Sequence, residues 1–104
     1  MTIDTWAGRS TFKYTGCVAV GTGIEFGNLN FINVTAEQYS NLRNSYLGQI
    51  VVVGTSFDNP PPGSLGAWLQ ANVTRTAIAS YVAPILIREG YAIQESDSEI
   101  RIIR

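Results

Sequence analysis

Between Thr11 and Val20 the side chains alternate with a period of two. Phe12, Tyr14, Val18 and Val20 fall on one side, and Lys13, Thr15, Cys17 and Ala19 on the other. That spacing predicts a half-buried strand, bent at Gly16. Gly21-Thr22-Gly23 reads as the following turn, Ile24-Glu25-Phe26 resumes the alternation, Gly27-Asn28 signals a hairpin, and Leu29 to Val34 forms a third extended run. The first third of the chain is therefore expected to be an antiparallel β-meander.

At Thr35 the period changes. Thr35 and Gln38 have capping-box spacing, Val34 and Tyr39 stand at the positions of a hydrophobic staple, and Tyr39, Leu42 and Tyr46 recur at helical intervals up to Gly48. A helix over 36–47 follows from this. The β-branched run 49–53 reads as a buried strand, and 54–63 as a long loop stiffened by Pro60, Pro61 and Pro62. Ser64 is placed to cap a short helix over 65–71, with Leu65, Trp68 and Leu69 facing inward. Thr74 is placed to cap the last helix, with Val73 and Ile78 as its staple and Ile78, Tyr81, Val82, Ile85 and Leu86 as its core stripe. Pro84 predicts a kink or break in that helix, because proline has no N–H for the carbonyl of Ser80. Gly90 ends it. Residues 91–94 and 99–104 read as a closing hairpin across Glu95-Ser96-Asp97-Ser98, with Ile100 and Ile102 on one face and Arg101 and Ile103 on the other.

The fold class predicted is α+β. An N-terminal antiparallel β-meander is followed by about three helices, one short strand and a C-terminal β-hairpin, in a single domain spanning 1–104. Asn33-Val34-Thr35 and Asn72-Val73-Thr74 look like a repeat and fit the N-glycosylation pattern. They are read here as one helix-start chemistry used twice.

The last helix carries a second pattern. Opposite its core stripe lie Ala79, Ala83 and Ile87, so it is nearly apolar all round and must be covered on both sides. Charge points the same way: only 14% of residues are Asp, Glu, Lys or Arg, against about 25% in ordinary globular chains. Either uncharged Thr, Ser, Asn and Gly wet the remaining surface, or other chains cover part of it, and the second is the expectation. The interface candidates are Ala79, Ala83, Ile87, Arg101 and Ile103. The proline loop is a further candidate for recognition through Phe57, Pro60, Pro61 and Pro62, since a proline tract is already extended before it docks.

From Thr35 onward the order helix, strand, helix, tight turn, helix, hairpin resembles a winged helix-turn-helix. Leu86-Ile87-Arg88-Glu89-Gly90-Tyr91 resembles the stretch leading a recognition helix into its wing. The resemblance covers about the last 70 residues, at the level of element order. It implies a nucleic-acid reader whose helix, starting at Thr74, would present Arg75, Thr76 and Ser80. Against that stand an acidic wing tip, which repels phosphate, and a net charge of −1. Nucleic acid is thus not the expected partner.

No histidine occurs, which removes the usual general base and the commonest transition-metal ligand. Cys17 stands alone, with no basic neighbour in sequence to activate it and no second thiol for a disulfide or a zinc site. Glu95, Asp97 and Glu99 alternate with serines but lack the glycine-punctuated spacing of a calcium loop. Gly21-Thr22-Gly23 is no phosphate loop. No catalytic residue, cofactor or metal is expected. The chain carries no visible signal peptide or membrane-spanning stretch, so a cytoplasmic or virion-associated place is expected. The function predicted is that of a non-enzymatic structural or assembly protein, homo-oligomeric or part of a larger particle such as a phage virion. The alternatives are the nucleic-acid reader above, or a small-molecule module with a pocket lined by Trp68, Tyr81 and Tyr91.

Overall fold

A computed structural model describes residues 2–104. Four antiparallel strands follow one another in space as in sequence: β1 (Thr2–Asp4), β2 (Thr11–Cys17), β3 (Gly21–Phe26) and β4 (Asn30–Thr35). Then come helix α1 (Ala36–Tyr46), strand β5 (Ile50–Val52), helices α2 (Leu65–Asn72) and α3 (Ala79–Arg88), and the hairpin β6 (Ala92–Gln94) and β7 (Glu99–Ile102). β5 joins the hairpin to give a second antiparallel sheet in the order β5-β7-β6. The fold is α+β, and from α1 onward the elements follow in the order helix, strand, helix, helix, strand, strand.

The meander begins one strand earlier than the alternation indicated, because Thr2–Asp4 pairs with Thr11–Lys13. The turn between β2 and β3 is Val18-Ala19-Val20, and Gly21-Thr22-Gly23 lies within β3 instead. Glycine is needed there for close approach. Gly16 pairs with Thr22 at φ 79, and a side chain on Gly16 would run into the carbonyl of Gly21. At Gly23 a Cβ would sit 2.6 Å from the ring of Phe31, which lies over the glycine on the outer face.

The capping box at α1 is complete. Thr35 Oγ1 accepts from the Gln38 N–H and Gln38 Oε1 accepts from the Thr35 N–H. Ser64 caps α2 by accepting from the Ala67 N–H. Thr74 caps no helix: its hydroxyl accepts from the Thr76 N–H, and α3 starts at Ala79 with no side-chain cap. Arg75 and Thr76 therefore lie on the α2–α3 connection.

α3 runs unbroken through Pro84. The carbonyl of Ser80, which proline leaves without its helical donor, accepts the backbone N–H of Trp6 at 2.9 Å. The meander thus closes over this helix. Tyr81 stacks on Phe26 and meets Phe12 edge-on, with ring centroids 4.5 and 5.0 Å apart. At the far end the Glu89 carboxylate accepts from the Tyr14 hydroxyl at 2.7 Å and from the Val18 N–H at 2.8 Å. Side chains from both sheets and all three helices form one buried cluster.

This arrangement corrects the reading of α3 as an interface helix. Ala79 and Ala83 are 1% and 0% exposed within the chain alone. The second cover is supplied by the chain itself, the meander on one side and α2 with β6 on the other. Ile87 is half-buried. Besides Lys13 and Glu25, the meander's outer side carries uncharged groups, with Thr2, Thr11, Thr15, Asn33 and Thr35 all exposed, so hydroxyls and amides take up part of the surface that charge leaves uncovered. No helix among the described residues is long and apolar enough to cross a membrane.

Candidate functional site on the outer face of the small sheet

The small sheet presents a different surface. Alternation along β7 sends Ile100 and Ile102 into the core and turns Glu99 and Arg101 outward, with Ile103 continuing on the outer side. In β5 and the residue after it, Val51 and Val53 are buried, so Ile50 and Val52 point out; in β6, Ala92 is buried and Ile93 points out. The register sets Ile50, Arg101 and Ile93 in one row across the three strands, with Val52 beside Glu99 in the next. Ile50, Val52, Ile93 and Ile103 are 48%, 39%, 46% and 43% exposed, and Leu47, bridged to Ile102, also stands out of the core.

The charge on this face is arranged around the apolar row. Arg101 forms an ion pair with Glu95 and is flanked in register by two isoleucines, so its aliphatic stem continues the apolar surface. Burying the exposed half of one branched side chain is worth about 1 kcal/mol, so the four together offer roughly 4 kcal/mol before the cost of association. An apolar centre carrying an arginine, with acidic groups at the edge, has the composition of a protein–protein contact.

The sequence candidates are distributed unevenly with respect to this face. Arg101 and Ile103 lie on it. Ile87 lies apart, in a shallow groove with Ile3, Trp6, Pro84 and Arg88. Ile93, in β6, was not singled out in the sequence, and Ile50 and Val52 escaped it because β5 reads as a continuous apolar run and so as a strand buried on both faces. Its even-numbered residues face solvent.

The proline loop is fastened at several points. Gln70 donates to the carbonyl of Phe57, Ser64 N–H to that of Pro61, and Tyr46 OH to that of Gly63. Phe57 is exposed and, with Pro60, lies beside Ala67, Ala71 and Arg75; Pro61 and Pro62 are exposed at the surface. The rings proposed as a pocket have separate surroundings. Tyr81 is held by Phe12 and Phe26, whereas Tyr91 lies under the guanidinium groups of Arg43 and Arg104, 4.5 and 4.9 Å from its centroid.

At the hairpin tip Glu95 is turned to Arg101 and Glu99 accepts from the Ser96 hydroxyl. No three Cys, Asp or Glu side chains converge as metal ligands among the described residues. Burial raises the ionisation of Tyr39, Tyr46 and Tyr81 above the usual tyrosine value. Tyr14 is pushed up to about 12 by burial, reinforced by its bond to the Glu89 carboxylate and by that group's charge. In α3 Arg88 is exposed, and Ser80, Tyr81, Pro84 and Ile87 are half-buried. Compared with protein-family models, curated proteins and solved structures, the chain matches none.

Proposed function

We propose that this chain is a non-enzymatic assembly protein that docks onto a neighbouring subunit through the outer face of the small sheet, within a homo-oligomer or a larger particle such as a phage virion. The observation that carries this reading is the row Ile50, Arg101, Ile93, extended by Val52 and Ile103. Of the nine large apolar side chains exposed among the described residues, five lie on this sheet or bridge to it. Such clustering, unlike isolated exposed leucines and valines, marks interaction surfaces. The nucleic-acid reading is not adopted, because the helix that would enter a groove lies beneath the meander.

The test pairs Ile50→Lys with Ile93→Lys. Both positions are outside the core, so the double variant is expected to keep its thermal midpoint within a few degrees. Light scattering at micromolar concentration reads the homotypic case, and mass spectrometry of the source particle together with incorporation of the variant reads the heterotypic one. Reduced assembly with retained folding is expected; a variant that assembles like its parent overturns the reading.

A further inference from the structure

The two sheets have four edge strands, and three are short. β1, β5 and β6 have three residues each, and β1 also carries Asp4. β4 differs. It runs six residues, Asn30-Phe31-Ile32-Asn33-Val34-Thr35, with no charge, no proline and no bulge against β3, to which it pairs residue for residue from Phe26↔Asn30 to Gly21↔Thr35. The sheet ends at β4, and among the described residues no hydrogen bond outside the β3 ladder involves 30–34. Natural sheets blunt long edges with lysine, proline, bulges or brevity, and β4 carries none of these devices. It passes directly into the capped helix α1 at one end, and Phe31, 57% exposed, lies over Gly23.

We propose that two copies of the chain join β4 to β4 antiparallel across a two-fold axis, merging their four-stranded meanders into one continuous eight-stranded sheet. A second copy fits this edge for three reasons. An uncharged strand meets no like charge when it faces itself in any register, whereas β1 carries the Asp4 carboxylate. Parity allows registers that keep each outer face continuous, and the one centred on Ile32 opposes Phe31 to Asn33 of the second copy and Asn30 to Val34. That register leaves out Thr35, whose N–H is already given to Gln38. Finally, the five paired residues align edges about 17 Å long, a strip smaller than a standard interface, which suits a weak dimer that forms at high concentration.

This rests on the assembly reading only in its broad form, since β4 belongs to the meander and not to the small sheet. Sedimentation of the full chain across a concentration series is expected to show a monomer–dimer equilibrium. Phe31→Lys with Asn33→Lys sets lysine opposite lysine twice and should raise the dimer Kd by at least about tenfold. Phe31→Glu with Asn33→Glu should do the same, and mixing the two double variants should restore a heterodimer. Amide exchange of the unmodified chain supplies a readout that needs no variant, with protection in 31–33 that grows with concentration. A chain that remains monomeric at several hundred micromolar, a mixture that forms no heterodimer, or exchange in β4 independent of concentration overturns the proposal. Ile50→Lys with Ile93→Lys leaves this dimer intact, so failure here and failure of the small-sheet reading are told apart.

Discussion

Removing the Glu89 carboxylate cuts the fastening between the meander and α3. It sits at the C-terminal end of α3, where a negative charge opposes the helix dipole, so local helix energetics do not explain it. Its two bonds do. Glu89→Ala leaves the Tyr14 hydroxyl and the Val18 N–H without an acceptor in a part-buried place. A hydrogen bond to a charged group contributes about 1.5–3 kcal/mol, and partial access to water reduces that, so the two together give a loss of about 2–4 kcal/mol. A chain of this length has roughly 5–15 kcal/mol to lose, and its melting point should fall by about 10–25 °C. Glu89→Gln keeps an acceptor for Val18 and should cost about 1 kcal/mol. Urea unfolding followed by tryptophan fluorescence measures both, and a cycle with Tyr14→Phe isolates the Tyr14–Glu89 pair. A loss below about 0.5 kcal/mol for the alanine variant, or equal losses for alanine and glutamine, would refute the fastening.

Two further expectations come from the same side of the molecule. Gly16→Ala must hold a positive φ and clear the Gly21 carbonyl, so it should cost at least about 2 kcal/mol by urea unfolding. Gly8→Ala, at φ 72 with nothing within 4 Å, should cost only about 1 kcal/mol. Because Tyr14 ionises near 12 in the folded chain against 10.0 when free, the native state holds that proton more tightly. Its contribution to stability is whole below pH 10 and declines as pH rises from 10 toward 12, so Tyr14→Phe should flatten that part of a stability–pH curve.

Most local structure was legible where one residue's chemistry decides it. The Thr35–Gln38 box, the Ser64 cap, the turn at Gly27 and the hairpin across 95–98 all follow from side chains acting within a few residues. Errors arose where distant segments decide. Thr74 has the chemistry of a helix cap but uses its hydroxyl on Thr76, and the helix begins only where Ile78 and Ala79 enter the core. Gly21 and Gly23 look like a turn because glycine signals both turns and close strand approach, and only pairing with β2 and β4 separates the two. The outer row on the small sheet was half legible: hairpin alternation exposed Arg101 and Ile103, while the unbroken apolar run of β5 concealed Ile50 and Val52. For α3, composition revealed cover on both sides, yet nothing local could say that the cover was the chain's own beginning.

That origin of the cover has a consequence for biosynthesis. The bonds that close the meander over α3 join residues 71 and 75 positions apart, so Phe12, Tyr14 and Ile24 leave the ribosome long before the helix that shields them. At about 5–20 residues per second, the wait is roughly 4–15 s. Throughout it a nascent sheet with a greasy underside and an unguarded six-residue margin would be open to capture, which makes yield in the cell sensitive to translation speed and to chaperones that hold extended chains.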